Sequence, residues 1–277
     1  MQSIIHPSAL LSLPKENLIL IDAGSGAAFE RYKQHHLAGA LYVDLDKDLA
    51  EISADAKNGG RHPLPSPEKF EQLLCRLGIT PQSHVVVYDD KNGANAAARF
   101  WWMLRAAGHG NVQVLNGGLQ AAIAAGFPVA AGIETAVPVA DYPVSQWQLP
   151  LAAIDAVEVA SQSPEHSVID VRDANRYNGI TEPIDLVAGH IPGAINMPLT
   201  GNLDANGLFL SPEALREKYT AALLGVDAKN IIVHCGSGVT ACHTLLALDY
   251  AGLPIAKLYV GSWSEWSRNG KKIAAGN

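Results

Sequence analysis

The chain of 277 residues has only three cysteines, few aromatic side chains (6%) and no long apolar run. Three cysteines cannot form a disulfide framework, which favours a reducing compartment and predicts a cytoplasmic protein. The N-terminus lacks a basic start followed by an apolar segment, and no stretch approaches the ~18 apolar residues of a membrane span. Neither a signal peptide nor a membrane partner is therefore expected.

Charge is scarce as well. Asp, Glu, Lys and Arg make up 17% of the chain, and the net charge is −7 without any basic run. Such a surface does not suit nucleic acid or an anionic membrane. Hydrophobic residues amount to 48%, enough for two cores, and the length favours two domains. The composition thus predicts a two-domain globular protein that does not bind nucleic acid.

Four short patterns occur twice in the same order, which indicates an internal duplication. The pairs are LILID (18–22) with SVIDV (167–171), HLAGA (36–40) with HIPGA (190–194), PSPEKFEQLLCRLG (65–78) with LSPEALREKYTAALLG (210–225), and HVVVYDD (84–90) with NIIVHCG (230–236). In both copies β-branched strands alternate with helices, which predicts two small α/β domains. In each domain we expect a central, mainly parallel sheet flanked by helices.

The repeated helix patterns carry their own start and stop signals. Both open on Ser-Pro-Glu, where Ser66 and Ser211 can cap the helix, and both end at a glycine, Gly78 or Gly225.

A linker is predicted between the two copies. Residues 131–150 lack periodicity and contain three prolines. The predicted boundaries are therefore 1–130 for the first domain, 131–150 for the linker and 151–277 for the second domain.

One segment of the second copy carries a chemical signature. A buried-type strand ends at His234, Cys235 follows, and Gly-Ser-Gly precedes a helix expected to begin near Val239 or Thr240. Ligands of open α/β sheets bind at the carboxyl ends of strands, and a glycine-rich loop before a helix directs backbone N–H groups at an anion. The segment therefore predicts a nucleophilic Cys235 whose sulfur carries negative charge.

Three other interpretations fit these residues less well. A cysteine of the core is the common alternative, but Asp89 holds the matching place in the first copy, so the fold does not require cysteine there. A cysteine phosphatase needs an arginine six positions after the cysteine, where this chain has Ala241. The neighbouring His-Cys and Cys-His pairs do not have the spacing of zinc ligands, so no metal is expected.

The motifs CGSGVTAC (235–242), GHIPGA (189–194) and GSWSEW (261–266) resemble those of the tandem-domain rhodanese family of sulfurtransferases. The resemblance covers both copies and implies two rhodanese-like domains, of which only the second is catalytic. It implies an enzyme that transfers sulfur through a persulfide on Cys235, without a metal or organic cofactor. The implied partners are a small sulfur donor and a cyanide or thiol acceptor, a small thiol protein included.

The resemblance also implies roles for individual residues. The catalytic residues are Cys235 and Ser237, and the backbone expected to hold the persulfide belongs to Gly236, Gly238, Val239, Thr240 and Ala241. Arg176 matches an arginine that binds the donor carboxylate, for which a planar guanidinium is suited. His36 and Arg99 are further substrate-binding candidates, with a hydrogen-bonded turn histidine and a solvated helix charge as the alternatives.

Two donors stay open at this point. The uncharged Gly236 and Ser237 resemble the loop of 3-mercaptopyruvate sulfurtransferases, whereas thiosulfate users usually have basic residues there. Ile184, however, stands where that branch usually has a second arginine. We expect 3-mercaptopyruvate as the donor and thiosulfate as the alternative. The alternative from another class is a non-enzymatic persulfide carrier or docking module.

Other conspicuous residues are expected to be structural. Asp170 and Arg172 are predicted to pair at a strand end, and Cys242 is predicted to lie buried behind the loop. Cys75 has no evident role. The predicted core includes four tryptophans, Trp101, Trp102, Trp263 and Trp266.

Overall fold

Each half of the chain folds around a parallel sheet of its own. The computed structural model describes residues 2–223 and 225–276; Met1, Leu224 and Asn277, which fall within the predicted domains and the second helix pattern, lie outside the described residues. The first of two units comprises the described residues of Met1–Glu51, Pro65–Gln148 and Ala205–Phe209. The second comprises those of Ile52–Leu64, Leu149–Asp204 and Leu210–Asn277. The units interleave along the chain, and the predicted boundaries at 130 and 150 stay a prediction.

The first unit contains strands β1 to β7 and helices α1 to α6. The strands are β1 (Ile4–Ile5), β2 (Leu18–Gly24), β3 (His36–Leu37), β4 (Ala40–Asp44), β5 (His84–Tyr88), β6 (Val112–Leu115) and β7 (Val129–Ala130). The helices are α1 (Pro7–Leu11), α2 (Ala28–Gln34), α3 (Leu45–Asp48), α4 (Pro67–Arg76), α5 (Ala96–Ala106) and α6 (Gly118–Ala124). The main sheet has the order β1-β6-β5-β2-β4 with every neighbouring pair parallel, while β3 and β7 pair antiparallel.

The second unit contains the remaining elements. Its strands are β8 (Ser167–Asp170), β9 (Ile195–Asn196), β10 (Ile231–His234) and β11 (Lys257–Leu258). Its α-helices are α7 (Ile154–Ser161), α8 (Ala174–Tyr177), α9 (Pro212–Leu223), α10 (Ala241–Tyr250) and α11 (Ser262–Trp266), with 3-10 turns at Leu199–Asn202 and Ala228–Asn230. The sheet order is β11-β10-β8-β9, again with every pair parallel.

The two sheets share one topology. The order β11-β10-β8-β9 repeats β6-β5-β2-β4. In the repeated sequence patterns β10 corresponds to β5, and β8 corresponds to β2. This confirms the predicted α/β class with two duplicated domains, each built on a mainly parallel sheet flanked by helices.

The local signals of the helices are confirmed too. Ser66 and Ser211 each accept a hydrogen bond from the backbone N–H three residues later, at 3.3 and 3.2 Å. The helices α4 and α9 begin at the following prolines. Gly78 and Gly225 have φ angles of +68° and +79°, the left-handed region that favours glycine after a helix.

Both units have well-filled cores. The largest fully buried side chains include four tryptophans, as predicted: Trp101, Trp102, Trp263 and Trp266. Among the residues that the structure describes, no helix is both long and apolar enough to cross a membrane.

Candidate active site

Cys235 lies at the carboxyl end of β10, where the chain enters the loop that leads to α10. The strand is central in its sheet, and Cys235 itself is 1% exposed. Gly238 has a φ of +73°, and a Cβ on it would lie 2.4 Å from the Val260 carbonyl oxygen, so the tight curl of the loop requires glycine. The helix begins at Ala241, slightly later than the sequence predicted.

The GSWSEW segment fixes the backbone of this loop. Ser262 Oγ accepts a hydrogen bond from the Cys235 N–H at 3.2 Å. The Trp263 N–H donates to the Cys235 carbonyl at 3.0 Å, and the Ser264 N–H donates to the Gly236 carbonyl at 2.9 Å. The backbone of Cys235 is therefore held on both sides, which sets the position of its sulfur.

The same segment binds a distant stretch of the chain, GGRH (59–62). Ser264 Oγ accepts a hydrogen bond from the Arg61 N–H at 3.0 Å, and Glu265 Oε1 accepts one from the Gly59 N–H at 2.8 Å. These contacts bring the side chains that follow Gly60 to the Cys235 loop.

His62 is one of the side chains placed there. Its Nδ1 lies 2.8 Å from Ser237 Oγ, two residues after Cys235. A hydroxyl hydrogen-bonded to an imidazole is a common arrangement for moving a proton during covalent catalysis. Ser237 and His62 therefore form a hydrogen-bonded pair close to Cys235 whose chemistry suits proton transfer.

Two guanidinium groups lie beside the same loop. A Cβ on Gly236 would lie 3.0 Å from Arg61 Nη2 and 3.4 Å from Arg176 Nη2. Two guanidinium groups at one point suit a carboxylate ligand. Ile184, which stands where a second arginine was expected, is 54% exposed and uncharged. The second positive charge beside the loop is therefore that of Arg61.

A buried carboxylate joins these arginines. Asp185 accepts hydrogen bonds from Arg61 Nε at 3.1 Å and Arg61 Nη2 at 3.3 Å. It also accepts from Arg176 Nη2 at 3.3 Å and from Arg268 Nη1 at 3.0 Å. Glu182 contacts Arg176 as well, with Nη2 at 2.8 Å and Nε at 3.1 Å, so the two carboxylates share Nη2. The guanidinium planes are thus fixed by carboxylates before any ligand binds.

The predicted pair of Asp170 and Arg172 is present at the end of β8. Arg172 donates to the Asp170 carboxylate from Nε at 3.0 Å and from Nη2 at 2.6 Å. Burial alone would raise the pKa of Asp170, but the neighbouring His234 and Arg172 hold it below its ordinary value. Arg172 also reaches Glu182 at 3.3 Å, so this pair supports the arginine cluster.

The first unit shows what a loop of this type can hold. Asp89 follows β5 as Cys235 follows β10, and its loop is one residue longer. The donors to the Asp89 carboxylate are the N–H groups of Lys91 (2.9 Å), Gly93 (2.7 Å), Asn95 (3.0 Å) and Ala97 (3.3 Å). A strand-end loop of this fold can therefore surround a buried acidic side chain with backbone donors.

The backbone predicted to hold the persulfide, Gly236 and Gly238–Ala241, forms the loop and the start of α10. The Val239 and Thr240 carbonyls accept hydrogen bonds from the N–H groups of Cys242 and His243, three residues later, at 3.0 and 3.2 Å. Cys242 is buried, and its thiol donates to the Gly238 carbonyl at 3.4 Å, so it lies behind the loop as predicted.

Two predicted substrate-binding residues belong to the first unit. His36 is fully buried; its Nδ1 lies 2.7 Å from the Tyr32 carbonyl, and its ring stacks on that of Tyr32. Arg99 is fully buried on α5 and donates to the Leu49 carbonyl at 3.3 Å. Arg99 is thus not a solvated helix charge. A role of either residue in binding a donor stays a prediction.

Sequence reasoning missed Arg61, His62 and Asp185. The first two lie in the copy that was expected to be inactive, and Asp185 directly follows Ile184 in the sequence. A signal was nevertheless present. The offset between the copies is 154 at the HLAGA and HIPGA patterns but 145 at the two Ser-Pro-Glu patterns, so the first copy has additional residues in between. Those additional residues include GGRH.

The fold and the site together define a duplicated α/β protein with one candidate cysteine nucleophile, Cys235, at a strand end of its second half. A family model described as the rhodanese-like domain matches residues 7–125 and again 154–269. The chain therefore belongs to the rhodanese family and contains two copies of its domain.

Individual relatives are similar over most of the chain. A Pseudomonas aeruginosa protein named "Probable 3-mercaptopyruvate sulfurtransferase" is 42% identical over 250 residues, covering 88% of this chain and 85% of that protein. The thiosulfate sulfurtransferase of Gallus gallus is 35% identical over 243 residues, covering 86% and 81%. The solved structure of 3-mercaptopyruvate sulfurtransferase from Leishmania major superposes with a TM-score of 0.84 at 28% identity, over 96% of this chain and 74% of that one.

Proposed function

We propose that this protein is an enzyme that transfers a sulfur atom from 3-mercaptopyruvate to a thiophilic acceptor through a persulfide on Cys235. The relatives named for 3-mercaptopyruvate support the donor, and family membership supports sulfur transfer. The acceptor is cyanide or a thiol, a small thiol protein included.

One observation carries the proposal. Two guanidinium groups, from Arg61 and Arg176, converge on Gly236, directly after the candidate nucleophile. They suit the carboxylate of an α-keto acid, because a guanidinium binds a carboxylate through paired N–H donors. A donor held there presents its thiol sulfur to Cys235.

The first half-reaction leaves sulfur on the enzyme. The Cys235 thiolate attacks the donor sulfur, an S–S bond forms, and the C–S bond breaks with its electron pair passing to C3. Ser237 and His62 carry the thiol proton of the donor to C3. The products are pyruvate and a Cys235 persulfide anion, so atoms and charge balance.

The second half-reaction returns the enzyme to its starting state. Cyanide or a thiolate attacks the outer sulfur, the S–S bond breaks, and its electron pair returns to Cys235. With cyanide the product is thiocyanate. Between the two steps the persulfide anion is stabilised by the N–H groups of Gly236 and Gly238–Ala241, by analogy with the donors around Asp89.

The first domain is proposed to be catalytically inactive. Asp89 replaces the nucleophile, and its own carboxylate takes the backbone donors that an anionic sulfur would need. The boundaries near residues 130 and 150 and a cytoplasmic location belong to the same proposal. The three cysteines, Cys75, Cys235 and Cys242, are free thiols, which suits a reducing compartment.

Steady-state kinetics test the proposal. With 3-mercaptopyruvate and cyanide, the wild-type protein should form pyruvate and thiocyanate in equal amounts. Cys235→Ser should abolish both products and leave the circular-dichroism spectrum unchanged, while Cys75→Ser serves as the control and should retain full activity. Turnover by the Cys235→Ser variant would contradict the mechanism.

A further inference from the structure

Asp185 has more arginine partners than a single carboxylate normally has. Its side chain is fully buried, and three guanidinium groups contact its two oxygens at 3.0 to 3.3 Å. Two of them, from Arg61 and Arg176, also lie beside the Cys235 loop. The third, from Arg268, donates to the Ser264 carbonyl at 2.8 Å. Asp185 therefore connects the candidate donor-binding groups with the segment that fixes the loop.

The position of Asp185 is set by its own turn. Glu182 Oε1 accepts hydrogen bonds from the N–H groups of Ile184 at 3.1 Å and Asp185 at 3.0 Å. On the other side, Trp263 Nε1 donates to the Val187 carbonyl at 2.9 Å. These hydrogen bonds hold the Asp185 carboxylate against the arginines. The carboxylate therefore both neutralises part of their charge and fixes their orientation.

The charge around Asp185 is nearly balanced. The ion pairs of this cluster join four arginines and three carboxylates, so these seven groups together carry one net positive charge. One positive charge matches a donor with a single carboxylate. Removing the charge of Asp185 would leave two, and the interaction energy of a dianion with them grows twice as much as that of a monoanion.

We infer that Asp185 determines donor selectivity. Its buried carboxylate lowers the net positive charge of the arginine cluster, which favours a thiol-bearing α-keto acid with one negative charge over the dianion thiosulfate. Asp185 is a positioning residue, because it acts through Arg61 and Arg176 rather than on the reacting atoms. The inference rests on the proposed function, since it concerns the donors of the same site.

Asp185→Asn tests the charge without changing the shape of the side chain. We compare kcat/KM for thiosulfate with kcat/KM for 3-mercaptopyruvate, both with cyanide as acceptor. The ratio should rise about tenfold in favour of thiosulfate, the effect expected of one partly screened charge at short range. A ratio within twofold of the wild-type value would overturn the inference, because a merely structural loss lowers both activities alike.

Arg268→Gln supplies a second test with the opposite sign. It removes one positive charge from the cluster, so the same ratio should fall about tenfold. This variant decides the question alone if circular dichroism shows that Asp185→Asn does not fold. Asp48→Asn is the matched control, since Asp48 pairs with Arg76 in the first unit and should leave the ratio unchanged. A shift of equal sign in both cluster variants would contradict the charge argument.

The design separates this inference from the proposed function. The mass of the wild-type protein after exposure to each donor shows first whether Cys235 takes up sulfur. Without uptake from either donor, the proposed function fails. With uptake and an unchanged ratio in both cluster variants, the selectivity inference alone fails.

Discussion

Arg61 and Arg176 come from distant segments and reach the Cys235 loop by different routes. Arg176 lies in α8, whereas the backbone of Arg61 is tied to Ser264 by a hydrogen bond of 3.0 Å. Both side chains are partly exposed, at 25% for Arg61 and 16% for Arg176, so a ligand can contact them. We propose that the two guanidinium groups each contact the same donor carboxylate.

Removing either guanidinium should weaken donor binding more than chemistry. We expect Arg61→Gln and Arg176→Gln each to raise KM for 3-mercaptopyruvate about 10- to 100-fold, because a charged hydrogen bond contributes about 1.5–3 kcal/mol. The value of kcat should change little, since the nucleophile remains. Steady-state kinetics check this, with Arg76→Gln in the first unit as the matched control. An unchanged KM would remove that arginine from the donor site.

Residues of one motif could be predicted from the sequence, while residues joined by tertiary contacts could not. Cys235 and Ser237 stand within one glycine-rich loop, so their pattern indicates chemistry by itself. His62 and Arg61 reach that loop only through Ser264 and its neighbours, and no local pattern predicts those hydrogen bonds.

At the scale of elements, the GSWSEW segment and the loop after β10 form one hydrogen-bonded unit. The segment exchanges hydrogen bonds with the backbone of Cys235 and Gly236, and Gly238 of the loop packs against Val260, directly before the segment. Gly238 is the tightest point, with the Val260 carbonyl oxygen 2.4 Å from where a Cβ would stand. A change there should disturb the site without touching the nucleophile.

Gly238→Ala tests this coupling. A left-handed residue with a Cβ costs about 1–2 kcal/mol, and the contact with Val260 forces the loop to move as well. We therefore expect a lower melting temperature together with a large loss of kcat/KM. The control is Gly126→Ala, whose φ is +88° with nothing within 4 Å of the added Cβ. It should lose stability only, and full activity of the Gly238 variant would refute the coupling.

Regular elements could be predicted from the sequence. The strands and helices that occur twice each have a residue period and end signals of their own. The segment 131–150 has neither, yet Tyr142 and Val144 are buried within the first unit, and β7 just before it pairs with β3. Irregular backbone held by individual contacts has no periodicity from which packing could be predicted.

At the scale of the whole molecule, duplication has produced two similar sheets with different strand-end residues. Asp89 fills its loop with a carboxylate, whereas Cys235 offers a thiol at the corresponding place. The strand order is common to both, so the difference lies in side chains and not in topology. The fold could therefore be predicted from the repeats, but the division of roles had to be inferred from single residues.

Each unit also contains a buried histidine that makes stability depend on pH. Burial lowers the pKa of His243 in the second unit to about 3, and it lowers the pKa of His109 in the first, both from 6.5. Below pH 6.5 the unfolded chain therefore binds protons that the folded chain does not. The free energy of unfolding should fall with falling pH, by up to about 1.4 kcal/mol per pH unit for each histidine, until the folded-state pKa is reached.

His243→Gln isolates one of these contributions. Urea midpoints measured from about pH 4 to about pH 8 should fall less steeply with acidification in the variant than in the wild type. Above pH 6.5 the variant and the wild type should show parallel curves. His35→Gln, at a half-exposed position of the first unit, is the control. Equal slopes for His243→Gln and the wild type would contradict the assignment.

The central claim is that Cys235 carries the transferred sulfur, and mass spectrometry tests it most directly. The protein is incubated with 3-mercaptopyruvate in the absence of an acceptor, and the intact chain and its peptides are weighed. We expect one added sulfur atom, located on the Cys235 peptide and removed by cyanide as thiocyanate. No added sulfur, or peptide fragment ions that place the sulfur on Cys75 or Cys242 instead of Cys235, would contradict the account.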